Sequence, residues 1–120
     1  MKIFILEDDI DQSDLYAFWL DEYDCTVFNK ARELIKNIPF DVPDVLLIDW
    51  NLPVVDGLDV LHWLKGSRYD NIPVIFMTSR STEADIVTAL TDGADDYIVK
   101  PASEKILKAR IKAVTRRLQT

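Results

Sequence analysis

The sequence is short of features that mark several classes of protein. Only one of its 120 residues is cysteine and only one is histidine. The single Cys25 excludes an internal disulfide, and its place in an apolar run predicts a buried, reduced thiol. No apolar run approaches the roughly 20 residues that cross a bilayer, and the start is too short and acidic for a signal peptide. We expect one cytoplasmic domain, residues 1–120, with His62 on a helix surface and no acid partner.

Basic residues are scarce over most of the chain. Residues 1–99 contain 7 basic and 20 acidic side chains, a net charge of −13, whereas residues 100–120 contain 7 basic and 1 acidic. An acidic body argues against direct binding of nucleic acid. The basic end fits a solvated helix face or a surface for an acidic partner, and the sequence leaves both open. Besides Lys100 it contains Lys105, Lys108, Arg110, Lys112, Arg116 and Arg117.

The sequence does contain five short apolar runs with helix-length stretches between them. The runs are continuous rather than alternating, which predicts strands that are buried on both faces of a parallel sheet. The alternation predicts an α/β fold, a five-stranded parallel sheet with five helices in the flavodoxin-like order 2-1-3-4-5. The runs are residues 3–6, 25–28, 45–48, 74–77 and 97–99.

The helical segments carry apolar stripes that predict which residues face the sheet. Helices are expected at residues 10–22, 31–38, 82–92 and 104–118, with another that begins near residue 56. The expected core residues are Leu15, Phe18 and Trp19, then Leu61 and Leu64, then Val87 and Leu90, and finally Leu107, Ile111, Val114 and Leu118. Ile86 and Ile106 lie about 100° from their stripes, and they are either incidental or part of a partner surface.

Polar residues follow four of the runs at their carboxyl ends, where ligands bind in open α/β sheets. They are Glu7, Asp8, Asp49, Thr78 and Lys100. Crowded carboxylates repel one another, and Mg²⁺ relieves that repulsion because it accepts carboxylate, water and phosphate oxygens. A carboxylate can attack phosphorus to form an aspartyl-phosphate, while an ammonium and a hydroxyl stabilise the incoming group. The predicted cluster is therefore suited to phosphoryl transfer.

Four motifs lie in order along the chain: residues 5–9, residues 47–57, residues 76–79 and residues 95–101. Together they resemble the receiver domain of bacterial two-component response regulators. The resemblance implies that Asp49 accepts the phosphoryl group and that Glu7, Asp8 and the main-chain carbonyl of Asn51 bind Mg²⁺. It also implies site and switch roles for the remaining matched residues. Lys100 would contact the phosphoryl oxygens, Thr78 and Tyr97 would be the switch pair, and the Lys100-Pro101 bond would be cis.

The end of the chain resembles the OmpR/PhoB-type receivers in particular. That resemblance implies a histidine kinase as phosphoryl donor, a homodimer on phosphorylation, and DNA binding through a separate winged-helix domain outside this chain. The implied dimer face consists of Ile86, Asp95, Asp96, Ile106, Arg110 and Arg117. The family usually has an opposite-charge pair where this chain has Ile86 and Ile106, so an apolar contact is expected there and the oligomeric state stays open.

Two other functions are alternatives to the regulator of transcription. A stand-alone receiver would act through protein contacts alone. A Mg²⁺-dependent phosphohydrolase with an aspartyl nucleophile needs a second carboxylate two residues later, and this chain has Asn51 there. We therefore expect no enzyme, only self-catalysed phosphoryl acceptance and slow autodephosphorylation.

Overall fold

The computed structural model describes residues 1–116 and confirms the predicted alternation of five strands with five helices. The elements are β1 (Lys2–Leu6), α1 (Ile10–Trp19), β2 (Asp24–Phe28), α2 (Ala31–Asn37), β3 (Val45–Ile48), α3 (Gly57–Lys65), β4 (Val74–Thr78), α4 (Glu83–Thr91), β5 (Asp96–Val99) and α5 (Glu104–Thr115). No helix within residues 1–116 has the length and apolar character needed to span a membrane.

The strands form one parallel sheet in the predicted order β2-β1-β3-β4-β5. Leu6, the last residue of β1, pairs with Phe28 of β2 on one side and with Ile48 of β3 on the other. Thr78, the last residue of β4, pairs with Val99 of β5. The segments that follow β1 and β3 therefore emerge side by side at one edge of the sheet.

Each face of the sheet has its own hydrophobic core. Phe4 and Leu6 of β1 point toward α2, α3 and α4, whereas Ile3 and Ile5 point toward α1 and α5. Successive strand residues point to opposite faces, so both sets must be apolar when helices cover both faces. This double burial explains why the runs are continuous.

The predicted inward face of α1 is wrong in two of its three residues. Phe18 is 71% exposed and Leu15 is also exposed, whereas Tyr16 and Ser13 are buried. Buried Ser13 is tolerated because its hydroxyl donates a hydrogen bond to the carbonyl of Ile10 at 3.0 Å. The inner face of the helix is therefore formed by aromatic Tyr16 and polar Ser13, with Trp19 packed against the same core, while Leu15 and Phe18 lie on the solvent side.

The predicted core residues of α4 are also wrong. Val87 is 54% exposed and Leu90 is exposed, while Ala89 is buried and Ile86 is half-buried. With about 100° between successive residues, Ile86 lies some 60° from Ala89, and Val87 lies almost opposite. The helix thus packs on the sheet through a small alanine, and apolar size alone pointed to the wrong side.

The core faces of α3 and α5 are confirmed. Leu61 and Leu64 are buried in α3, and α5 buries Leu107, Ile111 and Val114. Leu118, predicted as the last core residue of α5, lies outside the described residues. Cys25 is half-buried rather than buried, and burial raises the pKa of its thiol.

Candidate functional site

The structure brings the predicted site residues together at the carboxyl edge of the sheet. Glu7 directly follows β1 and is buried, with 2% of its surface exposed, and Asp49 directly follows β3 and is also buried. Thr78 ends β4 and is fully buried, and Lys100 follows β5. Asp8 lies on the exposed side of the same cluster.

Lys100 joins the two buried carboxylates. Its Nζ donates to Glu7 Oε1 at 2.6 Å and to Asp49 Oδ2 at 3.0 Å. Burial and, to a smaller extent, the nearby charge of Asp49 raise the pKa of Glu7 to about 7, against the opposing effect of the Lys100 hydrogen bond. Burial alone would lower the pKa of Lys100, but its hydrogen bonds to the two acids raise it. The ammonium therefore stays charged beside the carboxylate of Asp49.

The acids of the cluster also fit a divalent cation. One carboxylate oxygen from each of Glu7, Asp8 and Asp49 lies within 4.8 Å of the other two. Hard cations such as Mg²⁺ prefer such an oxygen set and keep several water ligands, for which exposed Asp8 leaves room. The remaining predicted ligand is the main-chain carbonyl oxygen of Asn51. The backbone of Asn51 lies close to Asp49, because its N–H donates to Asp49 Oδ1 at 3.2 Å. The three carboxylates thus fit a divalent cation with oxygen preference, such as Mg²⁺.

The two predicted switch residues, Thr78 and Tyr97, both contact the backbone of Arg80. Thr78 Oγ1 accepts a hydrogen bond from the Arg80 N–H at 3.3 Å, and the Tyr97 hydroxyl donates to the Arg80 carbonyl at 2.8 Å. The Tyr97 ring packs edge-on against Phe76 of β4. Burial, followed by the charge of Asp85, raises the pKa of Tyr97 to about 12. One backbone unit therefore links the hydroxyl of the site to the aromatic residue of β5.

Arg80 has more contacts at the site than its sequence position suggested. Its guanidinium lies over the ring of Trp50, 4.7 Å from the centroid, and its Nε donates to Asn51 Oδ1 at 2.8 Å. It also pairs with Asp85 of α4 at 3.6 Å. The signal available in the sequence was Trp50 directly after Asp49, because an exposed arginine often stacks on an aromatic face.

The loop from Asn51 to Asp56 joins the end of β3 beside Asp49 to the start of α3. The N–H of Gly57, the first residue of α3, donates to the carbonyl of Trp50 at 2.9 Å. A Cβ at Gly57 would lie 2.4 Å from the carbonyl oxygen of Asp49, which only glycine avoids. Asp56 caps α3, and its carboxylate accepts from the Asp59 N–H at 2.9 Å.

The predicted dimer face is only partly described. Arg110 pairs with Asp96 at 3.4 Å, and the carboxylate of Asp95 accepts a hydrogen bond from the Val74 N–H at 2.9 Å. Ile106 is 52% exposed and Ile86 is half-buried. Arg117 lies outside the described residues.

Two further predictions have clear outcomes. The Lys100-Pro101 peptide bond is cis, as the resemblance implied. His62 does lie exposed on α3, but the expectation that it has no acid partner is wrong. Its Nε2 is 2.8 Å from Asp92 Oδ2, just after α4, so it connects two helices that are distant in sequence.

Comparisons with known proteins agree with this geometry. The family model of the response regulator receiver domain matches residues 3–112. The chain is 39% identical over 120 residues to the phosphate regulon transcriptional regulatory protein PhoB of Escherichia coli (strain K12). It is 38% identical over 117 residues to the transcriptional regulatory protein KdpE of Staphylococcus aureus. These alignments cover 98% and 96% of this chain but 52% and 50% of the relatives, so the chain spans about half their length.

Solved structures share the whole fold. The receiver domain of a Francisella response regulator superposes with a TM-score of 0.92 at 28% identity, covering 98% of both chains. A two-component response regulator from Clostridium difficile gives 0.92 at 27% identity, covering 100% of this chain and 99% of its own. With relatives of the OmpR/PhoB type and a matched family model over most of its length, the chain belongs to the receiver domains of two-component response regulators.

Proposed function

We propose that this receiver takes a phosphoryl group onto Asp49 from a histidine kinase and is switched by it. The observation that carries the proposal is the pair of contacts from Lys100 Nζ, 2.6 Å to Glu7 and 3.0 Å to Asp49. A positive charge held next to the nucleophilic carboxylate before reaction stabilises the charge that arrives with the phosphoryl group. Lys100 is therefore the electrostatic partner of the acceptor, and Thr78 is the hydroxyl that turns to a phosphoryl oxygen.

Mg²⁺ completes the proposed site. Carboxylate oxygens of Glu7, Asp8 and Asp49, which lie within 4.8 Å of one another, would hold the ion together with the main-chain carbonyl of Asn51. The ion supplies compensating positive charge for the phosphoryl oxygens. Glu7 also shares Lys100 with Asp49, so removal of Glu7 would alter both the ion and the ammonium.

The signal leaves the site through the backbone of Arg80. When the Thr78 hydroxyl turns to a phosphoryl oxygen, it gives up the hydrogen bond that it accepts from the Arg80 N–H at 3.3 Å. The same peptide segment holds the Tyr97 hydroxyl at 2.8 Å and leads directly into α4. Phosphorylation thus alters a segment shared by α4 and β5, and both elements belong to the proposed dimer face.

The output that we propose is a homodimer formed through α4, β5 and α5. Exposed Ile106 and half-buried Ile86 give this face apolar area, and the pair of Arg110 with Asp96 gives it charge. The curated relatives PhoB and KdpE are transcriptional regulators about twice as long as this chain. We therefore assign DNA binding to a separate output domain that dimerisation brings to its operator.

Phosphohydrolase activity is the weaker alternative. The position two residues after Asp49 is Asn51, whose side-chain oxygen accepts from Arg80 Nε at 2.8 Å. An amide provides no general acid for a leaving group near neutral pH. The chain is accordingly expected to turn over only its own phosphoryl group. A stand-alone receiver differs from our proposal only in lacking the DNA-binding output.

The test uses Mg²⁺ and acetyl phosphate with the purified chain. Intact-mass spectrometry should show the gain of one phosphoryl group that is stable in acid and labile in base. Asp49→Asn should abolish the gain, whereas Asp70→Asn, an exposed acid between α3 and β4, should leave it unchanged. An adduct that persists in Asp49→Asn would overturn the assignment of the acceptor.

A second measurement addresses the output. Light scattering of the chain with and without a beryllofluoride mimic should show a shift from monomer to dimer. A mimic that binds, as shown by a saturable change in tryptophan fluorescence, without any change in mass would reject dimerisation while leaving phosphoryl acceptance intact.

A further inference from the structure

A surface groove lies beside the acceptor edge, on the side of the sheet covered by α2 and α3. Its volume is about 370 Å³, near the lower end of the range of about 300 to 1,000 Å³ that is typical of ligand pockets. The start of α2 forms one wall, and the loop between β3 and α3 forms the other. The lining residues are Lys30, Ala31, Arg32, Pro53, Val54 and Val55.

Val54 in this groove adopts a costly conformation. Its φ is 68°, and among residues 1–116 it is the only residue other than glycine with a positive φ. A β-branched residue rarely adopts the left-handed region, because its branched Cβ crowds the backbone. Its side chain is fully exposed, so the conformation is held not by side-chain packing but by a tight turn, in which the Val55 N–H donates to the Pro53 carbonyl at 2.8 Å. Backbone strain of this kind clusters at active sites, ligand-contacting positions and switch regions.

The groove also has a charge opposite to that of the surrounding surface. Lys30 and Arg32 are exposed, and neither forms an ion pair with another residue of the described chain. The first 99 residues carry a net charge of −13. Two free cations beside apolar Pro53, Val54 and Val55 therefore attract a partner that combines negative charge with an apolar side chain.

We propose that this groove binds an acidic segment of a partner protein, with an apolar side chain of that segment inserted against Val54 and Val55. Carboxylates of the segment lie against Lys30 and Arg32. Nucleic acid fits less well, since it offers no aliphatic anchor and the rest of the body repels it. The proposal does not depend on phosphoryl transfer, because none of the groove residues belongs to the acceptor site.

The groove is nevertheless connected to the acceptor edge. Asn29, next to Lys30, donates its side-chain N–H to the carbonyl of Glu7 at 2.7 Å. The opposite wall is part of the loop that starts at Asn51 and ends at Asp56. A bound segment thus contacts both loops that flank the site, and partner binding would occur at its rim.

Two short peptides test the proposal by NMR on the ¹⁵N-labelled chain. The first has a central Leu-Phe pair flanked by glutamates, and the second has lysines in place of the glutamates. The acidic peptide should shift the amide signals of Ala31, Arg32, Val54 and Val55 saturably at millimolar concentrations. The basic peptide should not. Equal effects of the two peptides, or no saturable shift, would overturn the proposal.

Charge reversal supplies the matched control. Lys30→Glu combined with Arg32→Glu should weaken binding of the acidic peptide about tenfold, because two attractive pairs become repulsive. Lys36→Glu reverses an exposed charge on the same helix outside the groove, and it should leave binding within about twofold. Equal weakening by the control would show that the peptide responds only to net charge and would reject the groove.

The strained residue gives an independent test. Val54→Gly relieves the positive φ and removes the apolar contact, so the midpoint of unfolding should be maintained or raised while peptide affinity falls severalfold. A fall in the midpoint with unchanged affinity would show that Val54 serves folding and would contradict the proposal. Amide shifts that change on dilution without peptide would identify a second copy of the chain as the occupant and likewise overturn it.

Discussion

Replacement of Gly57 by alanine should displace the backbone of Asp49, the proposed acceptor, while leaving every side chain of the site unchanged. The added Cβ would lie 2.4 Å from the carbonyl oxygen of Asp49 and 2.8 Å from the Cα of Trp50. Cβ atoms essentially never approach another atom more closely than 3.0 Å. The end of β3 and the start of α3 must therefore separate by at least 0.6 Å, the difference between 3.0 and 2.4 Å.

The displacement has two measurable effects. Forced separation of packed elements costs about 1–3 kcal/mol of unfolding free energy. It also shifts Asp49 relative to Lys100, whose Nζ lies 3.0 Å from the carboxylate. Since a misplacement of about 1 Å can cost about a hundredfold in rate, a shift of this size should slow phosphoryl acceptance by roughly 10- to 100-fold. Urea unfolding and the initial rate of mass gain with acetyl phosphate measure the two effects separately.

The other two glycines provide controls. Gly66 has φ −91° and ψ 6°, and a Cβ there would be 3.5 Å from its nearest neighbour, so Gly66→Ala should change unfolding free energy by less than about 0.5 kcal/mol. Gly93 has φ 122° and lies before β5, at the opposite edge of the sheet. Gly93→Ala should cost about 1–2 kcal/mol and keep the wild-type rate. Loss of rate in Gly93→Ala equal to that in Gly57→Ala would refute the geometric reasoning.

Three other residues carry predictions. When a chelator keeps the site free of metal ions, the Glu7 pKa of about 7 exceeds the 4.5 of an ordinary glutamate. The contribution of Glu7 to the free energy of unfolding is therefore complete below about pH 4.5 and is lost as the pH rises through 7. The midpoint of urea unfolding should accordingly fall between these pH values, and Glu7→Gln should make that fall smaller. Tyr97→Phe removes the hydrogen bond to Arg80, and urea unfolding should show a loss of about 1 kcal/mol with acceptance retained. Ile106→Lys should weaken the beryllofluoride-induced dimer in light scattering without destabilising the monomer. The control Ile10→Lys changes an exposed isoleucine of α1 and should leave the dimer intact.

The convergence of the site could be predicted because it follows from topology. Once the apolar runs are recognised as parallel strands, the residues that follow them must all lie at the carboxyl edge of the sheet. Glu7, Asp49, Thr78 and Lys100 meet there as expected. Short connections and continuous apolar runs leave few alternative arrangements. The composition of the site could therefore be predicted from the positions of these few residues along the chain.

The helix faces could not be predicted in the same way. Apolar size pointed to Phe18 and Val87, yet the sheet is covered at these helices by Tyr16 and Ala89. The distance between helix and sheet decides which side chain fits, and that distance depends on the residues of both elements together. The contacts of Arg80 were missed for a similar reason, since they join three segments that only the folded chain brings together.

The hydrogen bond between Lys100 and Glu7 joins residues that are 93 positions apart. During synthesis the ribosome makes the acids of β1 and β3 long before it makes their cation, which follows the last strand. A chain interrupted before β5 would expose a cluster of negative charge and would have no ammonium to attract a phosphoryl donor. Under the proposed function, the site is therefore complete only once Lys100 has been made, and a chain that ends before β5 is expected not to accept a phosphoryl group.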